Sequence, residues 1–396
     1  MSKSKTTDTP FIDLAGHPFG LELYFSGDSY FRDAIQSIRQ AQVEVLIESY
    51  IFDLDPIGQR FLNALAEASK RGVQTKLLVD GVGSYNWIES LKKFCLDHQI
   101  NFRVYHPLPL SQLYIKRISW HMLRRLLFLF QRINKRNHRK VISIDGKLAF
   151  LGSLNISQVH SEENMGENVW RDTGVKIQGP EIADLRLAFY ELWRSSKFET
   201  RSFLKSFLRR RKIKAEITGQ IRLNSSLRAR FFMLRALKRQ IRNAKTRILI
   251  TNAYFVPTAS ILRNLRKTAK RGVYVALCLP EKTDVTIVQL ASRSLYERML
   301  RDNIRIFEYR PRVLHAKTII IDNWASVGSL NLNHRSLKHD LEVEINFTQK
   351  APLFQLAEQW ELDIKEAKPI TYKEMQNFSL AQRWLARAAY WLRYWL

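Results

Sequence analysis

Cysteine is nearly absent: the 396-residue chain holds two, Cys95 and Cys278. Two cysteines cannot build a disulfide framework, and no cysteine cluster has zinc-ligand spacing, so a stapled secreted domain and a structural zinc module are excluded and a reducing compartment is expected. Acidic residues are in deficit as well, 37 against 64 lysines and arginines, which leaves a formal net charge of +27. A charge of that size calls for a polyanionic partner, either nucleic acid or an anionic membrane. No stretch of about 20 uncharged apolar residues occurs, so no transmembrane helix is expected. The longest purely apolar run in a basic context is short, Leu126-Leu-Phe-Leu-Phe130. The opening Met1-Ser-Lys-Ser-Lys5 lacks an apolar core and is not read as a signal peptide. What the chain does have is a hydrophobic content of 45%, enough for a folded protein with two cored domains.

One chemical pattern occurs twice. The first copy is His138-Arg-Lys140-Val-Ile-Ser-Ile-Asp145 followed by Gly152-Ser153-Leu154-Asn155; the second is His315-Ala-Lys317-Thr-Ile-Ile-Ile-Asp322 followed by Gly328-Ser329-Leu330-Asn331. A His-x-Lys pair on a strand puts both side chains on one face, because the strand period is two. The β-branched run after each lysine reads as a buried strand, Asp145-Gly146 and Asp322-Asn323 as turns, and the following apolar residues as returning strands. Between Asp145 and Gly152 lie six residues, but between Asp322 and Gly328 only five. A slip of one residue flips side chains across a strand, so the placement of Ser329 and Asn331 depends on the tighter turn absorbing the missing residue.

The repeat extends beyond these motifs. Val43 to Phe52 matches Thr246 to Phe255, Ala66 to Val79 matches Thr268 to Leu279, and Phe102 to Pro107 matches Ile306 to Pro311. Each half alternates helix and strand before its motif hairpin, which predicts an α/β sandwich with a mixed sheet. The halves differ just before the motif: His138 follows Pro107 by 31 residues, His315 follows Pro311 by 4. The insert, 108–134, reads as a helix with apolar residues on one side (Ile115, Met122, Leu126, Leu129) and Arg124, Arg125 and Arg132 on the other. The linker 201–215 and the tail 376–396 share this basic, aromatic-rich character, which suits the headgroup region of an anionic bilayer. The competing reading is that all three pack on the protein. The insert is expected at the pocket mouth, and the tail at longer range as a second anchor. The expected domains are 1–200, carrying the insert, and 216–375.

The paired motifs resemble those of the phospholipase D superfamily, and within it the chain resembles the bacterial cardiolipin synthases, most closely the B type. The likeness also rests on Ile47-Glu48-Ser49-Tyr50-Ile51-Phe52, Val79-Asp80-Gly81, Trp170-Arg171-Asp172-Thr173 and Asn252-Ala253-Tyr254-Phe255, and covers roughly residues 20 to 375. It implies two tandem α/β sandwich repeats with the active site between them. It also implies that His138 attacks, forming a phosphohistidine, while His315 serves as acid and base.

The residues support that chemistry independently. Lys140 and Lys317 offset the charge that protects a phosphodiester from attack. Asn155 and Asn331, with Ser153 and Ser329, are candidate ligands of the phosphoryl oxygens. A neutral imidazole is a competent nucleophile near pH 7, and a second can donate a proton to the leaving alcohol. Asp172 and Glu342 are candidate carboxylates for orienting the two histidines, with the pairing open. Asp145 and Asp322 belong to the catalytic motif but are expected to fix the turns. His17, His98, His106, His160, His334 and His339 are read as structural. No metal and no cofactor is expected. The reaction expected is phosphatidyl transfer from phosphatidylglycerol to a second phospholipid, at the cytoplasmic face of a bacterial inner membrane and without nucleic acid. The alternative is a hydrolase, phospholipase D or nuclease, that uses the same histidines with water.

Overall fold

The Lys-Arg-Gly-Val tetrapeptides of the two halves mark where a helix stops and a strand begins. Helix Pro56–Lys70 opens on Asp55, whose carboxylate accepts from the backbone N–H of Ile57 and Gly58. It closes at Gly72, and helix Ala259–Lys270 closes at Gly272; both glycines are left-handed, at φ 86° and 91°. Val73 and Val273 then start the next strands inward.

The computed structural model describes residues 20–107, 135–196, 220–376 and 380–394, so the insert 108–134 and the linker 201–215 lie outside the described residues. Among the described residues the first half contributes β1 (Gly20–Tyr24), β2 (Glu44–Ser49), β3 (Gln74–Asp80), β4 (Asn101–Tyr105), β5 (Val141–Ile144), β6 (Leu148–Gly152) and β7 (Gly174–Gln178). The second contributes β8 (Ile221–Leu223), β9 (Arg247–Asn252), β10 (Tyr274–Pro280), β11 (Ile304–Tyr309), β12 (Lys317–Ile321), β13 (Trp324–Gly328), β14 (Val343–Phe347) and β15 (Ala367–Ile370). The sheet orders are β1-β7-β6-β5-β2-β3-β4 and β15-β11-β10-β9-β12-β13-β14-β8. Helical crossovers make β2-β3-β4 and β9-β10-β11 parallel, while the motif hairpins β5-β6 and β12-β13 are antiparallel, so both sheets are mixed.

The two sheets face one another; helices such as Pro56–Lys70 and Ala259–Lys270 cover their outer sides, while Ile182–Ser195 and Lys350–Lys365 pack into the shared inner core. Alternation decides which layer each side chain joins: Ile142 and Ile144 pack under the first helix layer, Ile319 and Ile321 under the second. Val141 and Ile320 turn the other way, into a shared core with Leu151, Val175, Val327 and Val343. Each such buried side chain contributes roughly 1.5–3 kcal/mol. Cys95 and Cys278 are separate, buried free thiols. Burial pushes the Cys95 thiol up to about 12, an unreactive state.

Buried pairs lock the halves in register. Arg171 makes a two-pronged contact with Asp363, both bonds 2.9 Å. Arg136 grips Asp80 at 2.7 Å within its own half, and its backbone N–H donates to Asp340 of the other half. The tail forms a helix, Leu380–Trp391, whose Ala389 and Tyr390 pack with Tyr254 and Val256 and with Val288 and Ala291 of helix Thr286–Arg293. It therefore lies beside the Tyr254 segment and not at the longer range expected of a second anchor. The reason is a small-residue seam, Ala386 and Ala389, which lets it sit down closely.

Candidate active site

Two segments that cross between the halves bring the motif histidines together. The backbone N–H of His138 donates to Leu341 O, and Leu341 N–H to Arg136 O. In the mirror arrangement, His315 N–H donates to Arg171 O. Each histidine thus runs alongside the residue preceding a carboxylate of the opposite half. His138 Nδ1 lies 3.0 and 3.1 Å from the Glu342 oxygens, and His315 Nδ1 lies 2.9 and 3.2 Å from those of Asp172. The pairing left open by the sequence is crossed. An ionised carboxylate only accepts, so each Nδ1 carries the hydrogen and each Nε2 keeps its lone pair for chemistry.

Burial governs the charges. It lowers the pKa of His138, and lowers that of His315 to about 4 against the attraction of Asp172. Both imidazoles are therefore neutral at pH 7 before an anionic substrate binds. Burial disfavours ionised Asp172 and Glu342, but the facing histidines outweigh it and hold both carboxyls below their usual range. Lys140 Nζ donates to His138 O at 2.8 Å, and Lys317 Nζ likewise to His315 O. Burial, with the charge of Lys317, brings Lys140 down to about 7; burial brings Lys317 down to about 8. A bound phosphodiester anion favours the charged lysines. Anion binding should therefore be strong below pH 7 and weaken as pH rises through 7 to 8. A KM for an anionic phosphodiester that stays flat from pH 6.5 to 9 would contradict this.

The shorter second hairpin keeps its register. Val141 pairs with Leu151 and Thr318 with Val327, equivalent positions in the two copies. The deletion is absorbed in the turn: three residues separate Ile144 from Leu148, two separate Ile321 from Trp324. Asn155 and Asn331 consequently occupy matching places, and the side-chain oxygen of each is buried without a protein partner.

Two expectations need correction, that for Ser153 with Ser329 and that for His160, whereas Asp145 and Asp322 fix the turns as expected. Ser153 and Ser329 are not placed as phosphoryl ligands. Ser153 Oγ donates to Thr173 O, and Ser329 Oγ donates to the Glu342 carboxylate; both also accept from the backbone of the carboxylate-bearing strand. The sheet turns these hydroxyls inward, where they hold that strand in place. Asp145 and Asp322 sit at the far hairpin turns at φ 53° and 51°. Asp145 accepts from the backbone N–H of Gln42, Val43 and Glu44, and Asp322 from that of Lys245, Thr246 and Arg247. A strand of four or five residues, roughly 13–17 Å, separates each from the histidines.

His160, read as structural, belongs to the site. Its Nδ1 lies 2.7 Å from Asp172 Oδ2, and its Nε2 accepts from Asn155 N–H. It connects the first motif loop to the carboxylate of His315. His160, Asp172 and His315 also offer ligand-type atoms within 4.8 Å of one another. A cation there would have to displace Asp172 from the Nδ1 atoms it already faces. Two aromatic walls were missed as well: Tyr50 lies 5.0 Å from the His138 ring and Trp170 lies 5.4 Å from that of His315, while Tyr254, which repeat matching had placed near the pocket, lies 6.3 Å from the same ring. Glu48, on its repeat-matched strand, is buried 3.7 Å from Arg139, and burial raises its carboxyl.

Comparison with known proteins agrees with this geometry. The family described as "Cardiolipin synthase, PLD-like domain" matches residues 34–193 and 237–366, one segment per half. Cardiolipin synthase B of Salmonella typhimurium is 30% identical over 82% of this chain and 75% of its own length. A cardiolipin synthase of Clostridium perfringens is 31% identical over 92% of this chain and 74% of its own. Among solved structures, the phosphatidylserine synthase of Haemophilus influenzae superimposes with a TM-score of 0.68 at 14% identity, covering 95% of both chains, a likeness of fold.

Proposed function

The chain belongs to the cardiolipin synthase family with the phospholipase D-like domain, and from that membership we propose that it is a phosphatidyltransferase that makes cardiolipin from phosphatidylglycerol. The crossed pairs His138–Glu342 and His315–Asp172, facing two buried lysines, carry this reading. The phosphate of one phosphatidylglycerol settles between Lys140 and Lys317, and its negative charge draws a proton onto His315. His138 Nε2 attacks phosphorus, the P–O bond to glycerol breaks, and His315 gives its proton to the leaving oxygen. A hydroxyl of a second phospholipid then attacks phosphorus, the P–N bond breaks, and His315 takes the hydroxyl proton. No metal or cofactor enters these steps. Incubation of purified protein with phosphatidylglycerol vesicles in chelator should yield cardiolipin and free glycerol. Phosphatidic acid as sole product would establish the hydrolase instead, and unchanged lipid would overturn both.

The enzyme acts as a peripheral protein on an anionic bilayer, at the cytoplasmic face of a bacterial inner membrane, with no nucleic acid partner. No helix among the described residues is long and apolar enough to cross a membrane. The tail helix supports surface attachment: Trp384 and Trp391 are 68% and 79% exposed, two turns apart on one face. Tyr394, just beyond, packs on His334 of the helix that follows the second motif, so the end of the tail helix is held close to the motif loop. Indole rings favour the headgroup layer, and the +27 charge favours anionic lipid. Trp384→Ala with Trp391→Ala should weaken vesicle binding on the order of tenfold with an unchanged thermal melt. Equal sedimentation of the variant and the native protein would remove the tail from membrane attachment.

A further inference from the structure

Two lysines and two imidazoles suit the pocket to an anion, and its two buried carboxylates are taken up by the histidines, yet its His315 side carries a further, exposed carboxylate. Tyr254 follows β9, with its ring 6.3 Å from His315. Its hydroxyl donates to both oxygens of Asp284, at 2.7 and 2.6 Å. Asp284 stands in the loop between β10 and helix Thr286–Arg293 and is exposed to solvent. The phenol is largely buried; burial pushes its pKa up, and the charges of Asp284 and Asp172 push in the same direction. Lys317 feels Asp284 as well. The pair therefore links a solvent-exposed carboxylate to a buried ring beside His315.

The other half lacks it. In the aligned strands Ile51 stands where Tyr254 does, and with Lys70-Arg71-Gly72-Val73 set on Lys270-Arg271-Gly272-Val273, Ser84 stands where Asp284 does. Ser84 Oγ is occupied by the backbone of Tyr50 and Phe52. A carboxylate on one side of a phosphate site repels phosphoryl oxygens from that side. It attracts hydroxyl hydrogens, and a Tyr hydroxyl that donates to it retains lone pairs to accept one more. The side in question is that of His315, which handles both the departing and the attacking alcohol.

We propose that Tyr254 and Asp284 form the alcohol subsite, and that they select a polyol headgroup by accepting hydrogen bonds from its non-reacting hydroxyls. The inference rests on the phosphatidyl-transfer reading and adds to it the class of acceptor: a glycerol-type headgroup, in preference to a monohydric alcohol or water. In the transfer step the polyol oxygen bonds to phosphorus, the P–N bond to His138 breaks, and the hydroxyl proton goes to His315. A neighbouring hydroxyl of the same polyol meanwhile donates to Asp284.

The test is a competition from one intermediate. Phosphatidylglycerol vesicles are incubated with labelled glycerol and ethanol at equal concentration, and labelled phosphatidylglycerol and phosphatidylethanol are counted. Both products descend from the same phosphohistidine, so their ratio is independent of how much protein is folded or how well the donor binds. Native protein should favour glycerol, and Asp284→Ala should reduce the glycerol-to-ethanol ratio by about ten- to a hundredfold, the effect of losing one or two hydrogen bonds to a charged group. Tyr254→Phe should reduce it less. An unchanged ratio in Asp284→Ala, with both products falling together, would overturn the proposal and leave Asp284 an electrostatic neighbour of Lys317. Neither product from native protein would instead refute the transferase reading beneath it.

Discussion

Replacing either His138 or His315 with alanine should lower turnover by at least about 10²–10⁴-fold, the range for losing a nucleophile or an acid–base group. Each imidazole has a task the other cannot take over. The two Nδ1 atoms are held by carboxylates of opposite halves, so neither ring can swing across to replace its counterpart. The neighbouring lysines cannot substitute for the nucleophile either, since a bound phosphodiester favours their charged forms, which have no lone pair to attack with. Alanine removes a neutral ring, and the buried carboxylate it leaves keeps another partner, Ser329 Oγ for Glu342 and His160 for Asp172, so the fold should survive. Thermal melts beside lipid-product assays check this. Near-native turnover in either variant would dismiss the two-histidine mechanism.

The second large effect belongs to the carboxylates. Asp172→Asn and Glu342→Gln are nearly isosteric, but each can turn an N–H toward a histidine Nδ1 that needs an acceptor. The ring then holds its hydrogen on Nε2, where the lone pair is required. Loss of about 10²–10⁴-fold in kcat is expected for each, with KM little changed, because the phosphate ligands stay in place. The two variants should differ in kind. Glu342→Gln disables the attacking His138 and should abolish the covalent intermediate. Asp172→Asn disables proton transfer by His315, slowing both formation and discharge of that intermediate. A variant within fivefold of native kcat would reduce its carboxylate to a structural role.

The motif strands and turns were legible because they depend on local rules. A period of two, a β-branched run and a left-handed turn residue give β5-β6 and β12-β13 without knowledge of the rest of the chain. The two-sheet architecture was legible because the halves repeat. The crossing of His138 to Glu342 and His315 to Asp172 was not, since it depends on how two sheets of similar sequence meet. Ser153 and Ser329 misled for a related reason: a hydroxyl beside a motif resembles a ligand until the sheet turns it toward the adjacent strand. His160 follows Asn155 by five residues, whereas the nearest histidine of the second half, His334, follows Asn331 by three. With no partner in register, repeat matching passed it over. The register of Ser329 and Asn331 was in doubt because a deletion in a strand shifts everything after it; this one fell in the turn.

Trapping the covalent intermediate tests the central claim most directly. Native protein is mixed with phosphatidylglycerol labelled at phosphorus and quenched within milliseconds to seconds by denaturant at neutral pH, since a P–N bond is acid-labile. The labelled peptide is then mapped. The crossed-pair mechanism predicts label on His138, formed before cardiolipin appears and discharged as it accumulates. Label on His315 would reverse the assigned roles, and cardiolipin formed with no protein-bound phosphorus at any time would contradict the mechanism itself.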